Sequence, residues 1–187
     1  VVGTSQLLTA TGTLANGKTQ DLTTQVTYTS TDASRISPLF LSQGFVVALQ
    51  SNASPIGLTA SFGSPAVTSP AVNLLPVDAT LSSLAITPTT ATIAPGGTQR
   101  FEVDGSFTNG LTQRITRHVN FASSDAAAVV VATNAVLAPL AGNAINPFAG
   151  LAGVPTAATA GATATITASH PNLTSSAVAT VTVGTAP

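Results

Sequence analysis

The segment Gly12-Thr13-Leu14-Ala15-Asn16-Gly17-Lys18-Thr19-Gln20-Asp21-Leu22-Thr23 returns 93 residues later as Gly105-Ser106-Phe107-Thr108-Asn109-Gly110-Leu111-Thr112-Gln113-Arg114-Ile115-Thr116. The match runs on without a gap, from Val26-Thr27-Tyr28-Thr29-Ser30-Thr31-Asp32 to Val119-Asn120-Phe121-Ala122-Ser123-Ser124-Asp125. A chain of 187 residues that holds one unit twice at this spacing must build the same small domain two times over. Between the copies, Leu74–Thr80 closes the first unit and Leu81–Pro88 opens the second. The boundary is placed near Asp78, giving domains 1–78 and 79–187, with so little linker that the two are expected to stand end to end.

Each copy reads as β-structure. Apolar and polar residues alternate with period two in Gln99-Arg100-Phe101-Glu102-Val103, Val26-Thr27-Tyr28-Thr29 and Ala164-Thr165-Ile166-Thr167, the signature of half-buried strands. Asn16-Gly17, Asn109-Gly110 and Pro95-Gly96-Gly97 supply turns between them. The alternation sends Leu22 or Ile115 and Val26 or Val119 into a core. Aromatics make up 4% of the chain, so Tyr28 and Phe121, at matched positions, are expected to anchor one core each.

Composition excludes several functions. Charged residues are 6% of the chain, where about a quarter is usual, so Thr, Ser, Ala and Asn must make most of the wetted surface. Little charge repulsion then keeps neighbouring copies apart. A formal net charge of −1 offers no electrostatic footprint for nucleic acid or for an anionic membrane. No apolar run is long enough to span a bilayer. The chain has no Cys, Met or Trp, which excludes disulfides and thiolate chemistry. A start at Val1-Val2-Gly3-Thr4 without Met is read as a mature or partial chain, which leaves room for a signal sequence removed without trace.

The run Leu84-x-Ile86-Thr87-Pro88, Ala94-Pro95-Gly96-Gly97-Thr98-Gln99-Arg100-Phe101, Gly105–Gly110, Ile115-Thr116 and Val119–Asp125 resembles the bacterial immunoglobulin-like domain, group 2. Gly161–Ala168 and Ser176–Val183 are similar to that family's penultimate and last strands. The resemblance implies two tandem immunoglobulin-like β-sandwiches of the kind found in intimin- and invasin-like adhesins, other surface proteins and phage virions, with no catalytic residues, no metal and no cofactor to carry over. Tyr28 and Phe121 stand where the family often has Trp. The stretch 132–160 is longer than the family's usual connection and is rich in Ala, Gly, Asn and Pro.

At the same offset Gly3 pairs with Gly96, so nothing in the first unit corresponds to Leu84–Ala94, the opening strand. Two explanations stand side by side: the strand belongs to chain upstream, or another subunit donates it. In the second, Gln6, Leu8, Ala10 and Gly12 form the acceptor edge, and partners include copies of the chain itself.

The remaining candidates divide between chemistry and plain structure. Glu102 and Asp104 share a strand face, which fits acid–base work, a cation, or merely a solvated surface. His118 and His170 have no metal-ligand spacing and read as surface or turn residues. Asp32 and Asp125 read as turn closures. Asp78 is the sole acid near the junction, too few for a structural calcium ion. The insertion 132–160, with Ile145, Phe148 and Leu151, reads either as a flap over its own sandwich or as a partner surface. The expected function is a non-catalytic stalk, spacer or fibre subunit at a bacterial surface or outside the cell. The alternative is an adhesin or virion module that binds a glycan or protein.

Overall fold

The computed structural model describes residues 1–38, 44–132, 150–156 and 158–185. The chain divides into two units, Val1–Ala79 and Thr80–Pro187, and both are all-β, with no α-helix among the described residues.

The first unit holds β1 (Ser5–Leu7), β2 (Thr11–Thr13), β3 (Thr19–Asp21), β4 (Thr27–Ser30), β5 (Ile36–Pro38), β6 (Phe45–Ala48), β7 (Ile56–Phe62), β8 (Val67–Thr68) and β9 (Val72–Leu74). Its sheets run β1-β6-β5, β2-β3 and β4-β7-β8, with β9 also on β7. Alternation works as the sequence predicts. Thr27 and Thr29 face out while Tyr28 is buried, and Ile56 and Leu58 on β7 join Ile36 and Val46 in a core. The β2–β3 connection is a three-residue hairpin loop. Gly17 N–H donates to Leu14 C=O at 2.9 Å, Leu14 N–H to Lys18 C=O at 2.8 Å, and Gly17 takes φ +78°, a conformation that glycine adopts without steric cost. Asn16 Oδ1 accepts from Lys18 N–H at 3.0 Å.

The second unit holds β10 (Leu81–Thr87), β11 (Thr90–Ile93), β12 (Thr98–Arg100), β13 (Glu102–Phe107), β14 (Thr112–Arg114), a 3-10 turn (Thr116–His118), β15 (Asn120–Ser123), β16 (Val130–Val131), β17 (Leu151–Gly153), β18 (Thr163–Ser169) and β19 (Ala177–Val183). Its sheets are β10-β13-β14, β11-β19-β18-β15 and β12-β17-β16. All pairings are antiparallel except β11 with β19. Strand β10 packs across the interior on β18 and β19, so the first two sheets face each other as a sandwich. Phe101, Val103, Val119, Val129, Ile166 and Val181 are fully enclosed at 0% exposure, each contributing about 1.5–3 kcal/mol by burial.

Register relates the copies strand by strand: β1 to β12, β2 to β13, β3 to β14, β4 to β15, β6 to β17, β7 to β18 and β9 to β19. Among the described residues no strand of the first unit corresponds to β10 or β11, so the first sandwich lacks its opening strand. The stretch 132–160 differs from the long connection expected from sequence. Its Leu151-Ala152-Gly153 is β17, paired with both β12 and β16, and Ala152 is fully buried. A strand made of Leu, Ala and Gly carries no β-branched signal, which is why its composition reads as loop.

Candidate functional site

The first unit carries a groove where the second has a strand. In the second unit β10 runs along β13 with Leu81 opposite Phe107, Leu84 opposite Gly105 and Ile86 opposite Val103. The counterpart of β13 is β2, which pairs with β3 alone among the described strands. Leu14, the counterpart of Phe107, is 49% exposed against 7% for Phe107. Beside it lies a cavity of about 760 Å³ lined by Leu8, Ala10, Gly12, Leu22, Val26 and Leu58 among others. Leu8, Ala10 and Gly12 of the anticipated acceptor edge are therefore on this groove. Gln6 is not: it sits on β1 opposite Val46 of β6. The open edge spans Thr9–Leu14, the residues that match Glu102–Phe107.

A second surface is the outer face of the sheet β11-β19-β18-β15. Thr92, Thr182 and Thr163 lie side by side across three strands, and Thr90, Thr180 and Thr165 form the next row. Four of these six are exposed and two half-buried. Strand geometry spaces neighbours in a row by about 4.8 Å and the rows by about 6.7 Å. None of the four strands carries a charged residue, so the face is an uncharged lattice of hydroxyls and methyls.

Among the described residues, ionisable groups are held in turns and cross-strand pairs. Glu102 and Asp104 do share a face, and Arg114 from the neighbouring strand pairs with both, its Nε 2.6 Å from Asp104 Oδ1. Asp104 above all holds the Arg114 guanidinium in its charged form, raising its pKa. Asp125 Oδ1 accepts from Ala127 N–H at 2.9 Å and Ala128 N–H at 3.2 Å, closing a turn. Asp32 does the same with Ser34 N–H at 3.1 Å, and its pKa is lowered chiefly by the Ser34 hydroxyl. His170 sits in a turn, where Nδ1 accepts from Asn172 N–H at 3.2 Å. His118 ends the 3-10 turn, as a turn residue, and is half-buried; burial, then His170 and Arg117, lower its pKa to about 4. Sequence spacing cannot reveal that His118 and His170 approach each other, because β15 and β18 bring them together. Among the described residues no three His, Cys, Asp or Glu could hold a metal ion. Nor is any helix long and apolar enough to cross a membrane.

Among the described residues aromatic platforms for a sugar are scarce: Tyr28, Phe101, Phe107 and Phe121 are buried, Phe45 is half-buried, and Phe62 is exposed. Of the anticipated partner contacts, Ile145 and Phe148 fall outside the described residues, and Leu151 is half-buried on β17 opposite Arg100.

No protein-family model matches the chain. The chain is 36% identical over 125 residues to ice-binding protein 1 of Shewanella frigidimarina (strain NCIMB 400), a match that covers 66% of this chain and 13% of that protein. It thus spans about an eighth of that relative's length. Among solved structures it is similar to surface layer protein SbsC domains 1–6, at 17% identity and TM-score 0.42, covering 88% of this chain and 20% of that one. It is also similar to SbsC domains 4 and 5, at 18% identity and TM-score 0.41, covering 95% and 81%. Neither of these two likenesses bears on function.

Proposed function

We propose that this chain is a non-catalytic structural module, a tandem pair of immunoglobulin-like sandwiches of the bacterial group 2 kind, serving as a spacer within a larger extracellular or cell-surface protein. The observation that carries the reading is the repeat itself, one unit built twice, with Asp32 and Asp125 closing turns and Glu102 and Asp104 paired across strands with Arg114. The match to a small part of a much longer relative supports it. A spacer should bind no ligand and its units should unfold separately. Calorimetry is expected to resolve two transitions, and a glycan array probed with the labelled chain is expected to stay blank. Saturable glycan binding would replace the spacer with an adhesive module.

A second reading rests on the threonine lattice of the second unit, together with the likeness to a protein named for binding ice. A regular array of hydroxyls and methyls without charges presents hydroxyls to water at the strand and residue spacings of the sheet. On this reading the chain slows ice growth, and Thr180→Tyr, which suits an exposed strand position, abolishes the effect. Ice growing unhindered in concentrated wild-type solution would eliminate it.

A further inference from the structure

We propose that the groove beside β2 is the seat of a strand–turn–strand segment with the chemistry of Leu81–Ile93, belonging to the polypeptide that leads into Val1. The first unit is a sandwich completed by that segment.

The contact that an opening strand makes is half present. In the second unit, a Cβ added at Gly105 would meet Ile115 Cδ1 and Leu81 Cδ1, each at 2.6 Å. Glycine there lets β10 and the β14 side close over the same point. At Gly12 an added Cβ would meet Leu22 Cδ1, the counterpart of Ile115, at 2.5 Å. The place that Leu81 would take is open cavity. The first unit thus keeps the glycine that the close approach needs and lacks the leucine that approaches.

The rim agrees with that occupant. Leu14, Phe62, Val67 and Val72 line the cavity and are exposed by 49%, 44%, 76% and 52%. An amphipathic strand would cover them as Leu81 and Ile86 cover Phe107 and Val103. The open edge of β2 supplies a backbone ladder for antiparallel addition.

A second open edge directs the segment to Val1. In the second unit β11 runs parallel to β19, and Gly184 N–H donates to Ile93 C=O at 2.9 Å where the pair ends. In the first unit Val2 N–H donates to Val77 C=O at 2.9 Å, just beyond β9. Val1 matches Ala94, so a strand ending at Val1 would lie along β9 as β11 lies along β19. Val1 is itself buried at 6% exposure, as a residue leading out of an interior strand would be. A second copy is the poorer donor, since its Leu81–Thr87 is already paired within its own second unit.

The test is to fuse a copy of residues 81–93 directly ahead of Val1 in the full chain. Amide exchange at Thr11, Thr13 and Val72–Leu74 is expected to slow by at least about tenfold, and the melting temperature of the first unit to rise by about 5 °C. Gly12→Val in the fused chain, or an aspartate in the extension at the position copied from Leu81, is expected to abolish both gains while the second unit stays unchanged. An extension that leaves exchange at β2 and β9 as it was, or protection that survives both substitutions, overturns the assignment. So does the unfused chain if it gains the same protection in a concentration-dependent dimer, which would make a second copy the occupant.

Discussion

Gly150→Ala should destabilise the second unit by about 3–5 kcal/mol, the range of the most damaging single substitutions, read as a shift in its denaturant midpoint. Gly150 takes φ +80°, already unfavourable for a residue with a side chain. Its new Cβ would also press into the Phe101 carbonyl oxygen, with Phe121 Cζ at 3.1 Å and Thr116 Cγ2 at 3.2 Å. The backbone cannot retreat freely. Phe101 N–H donates to Gly150 C=O at 2.7 Å, and Gly150 N–H donates to Ala132 C=O at 3.0 Å, so relief would break the bonds that seat Phe101, itself at 0% exposure. Gly161, with φ +84° and nothing within 4 Å of an added Cβ, is the control. Gly161→Ala should cost only the φ term, about 1 kcal/mol. Equal losses at the two glycines would show that the close approach contributes nothing.

Acid is expected to weaken the second unit by roughly 2–3 kcal/mol between pH 6.5 and about pH 4. His118 binds its proton at the ordinary value of 6.5 when unfolded and only at about 4 when folded. Across that window the unfolded chain holds more protons, so stability falls as pH falls. Well above pH 6.5 the ring is neutral in both states and contributes no slope. His170, lowered by burial, acts with the same sign. In the first unit, Asp21 and Asp32 lie below the usual carboxylate value of 3.8, and that unit loses their contributions only under still more acidic conditions. Urea unfolding across the range measures the slope, and His118→Gln should flatten most of it. A slope unchanged by that substitution would place the titration elsewhere.

Much of this fold is legible in the chain because the repeat supplies a check on each element. Leu22 and Ile115, Val26 and Val119, and Tyr28 and Phe121 are buried in both copies, as alternation requires. The vacancy in the first unit also follows from the offset alone. What could not be read is contact between elements far apart in sequence. Gly44 and Gly150 occupy one role, each with positive φ and each accepting a backbone N–H, from Leu8 at 2.8 Å and Phe101 at 2.7 Å. Unequal numbers of residues before them break the offset that would have aligned them. The pairing of Arg114 with Glu102 and Asp104 needed the register of β13 with β14. The proximity of His118 to His170 needed that of β15 with β18. Gln6 stands off the open edge because the chain leaves one sheet and enters another between β1 and β2, a crossing that alternation does not mark.

The ion pairs have a consequence for where such a module can work. Those among the described residues, Arg35 with Asp32 and Arg114 with Glu102 and Asp104, lie at side chains 35–50% exposed, where each is worth little and is screened as ionic strength rises. Cohesion comes from interlocked aliphatic and aromatic side chains, which dissolved salts do not screen. The module's stability is therefore expected to change little as ionic strength rises.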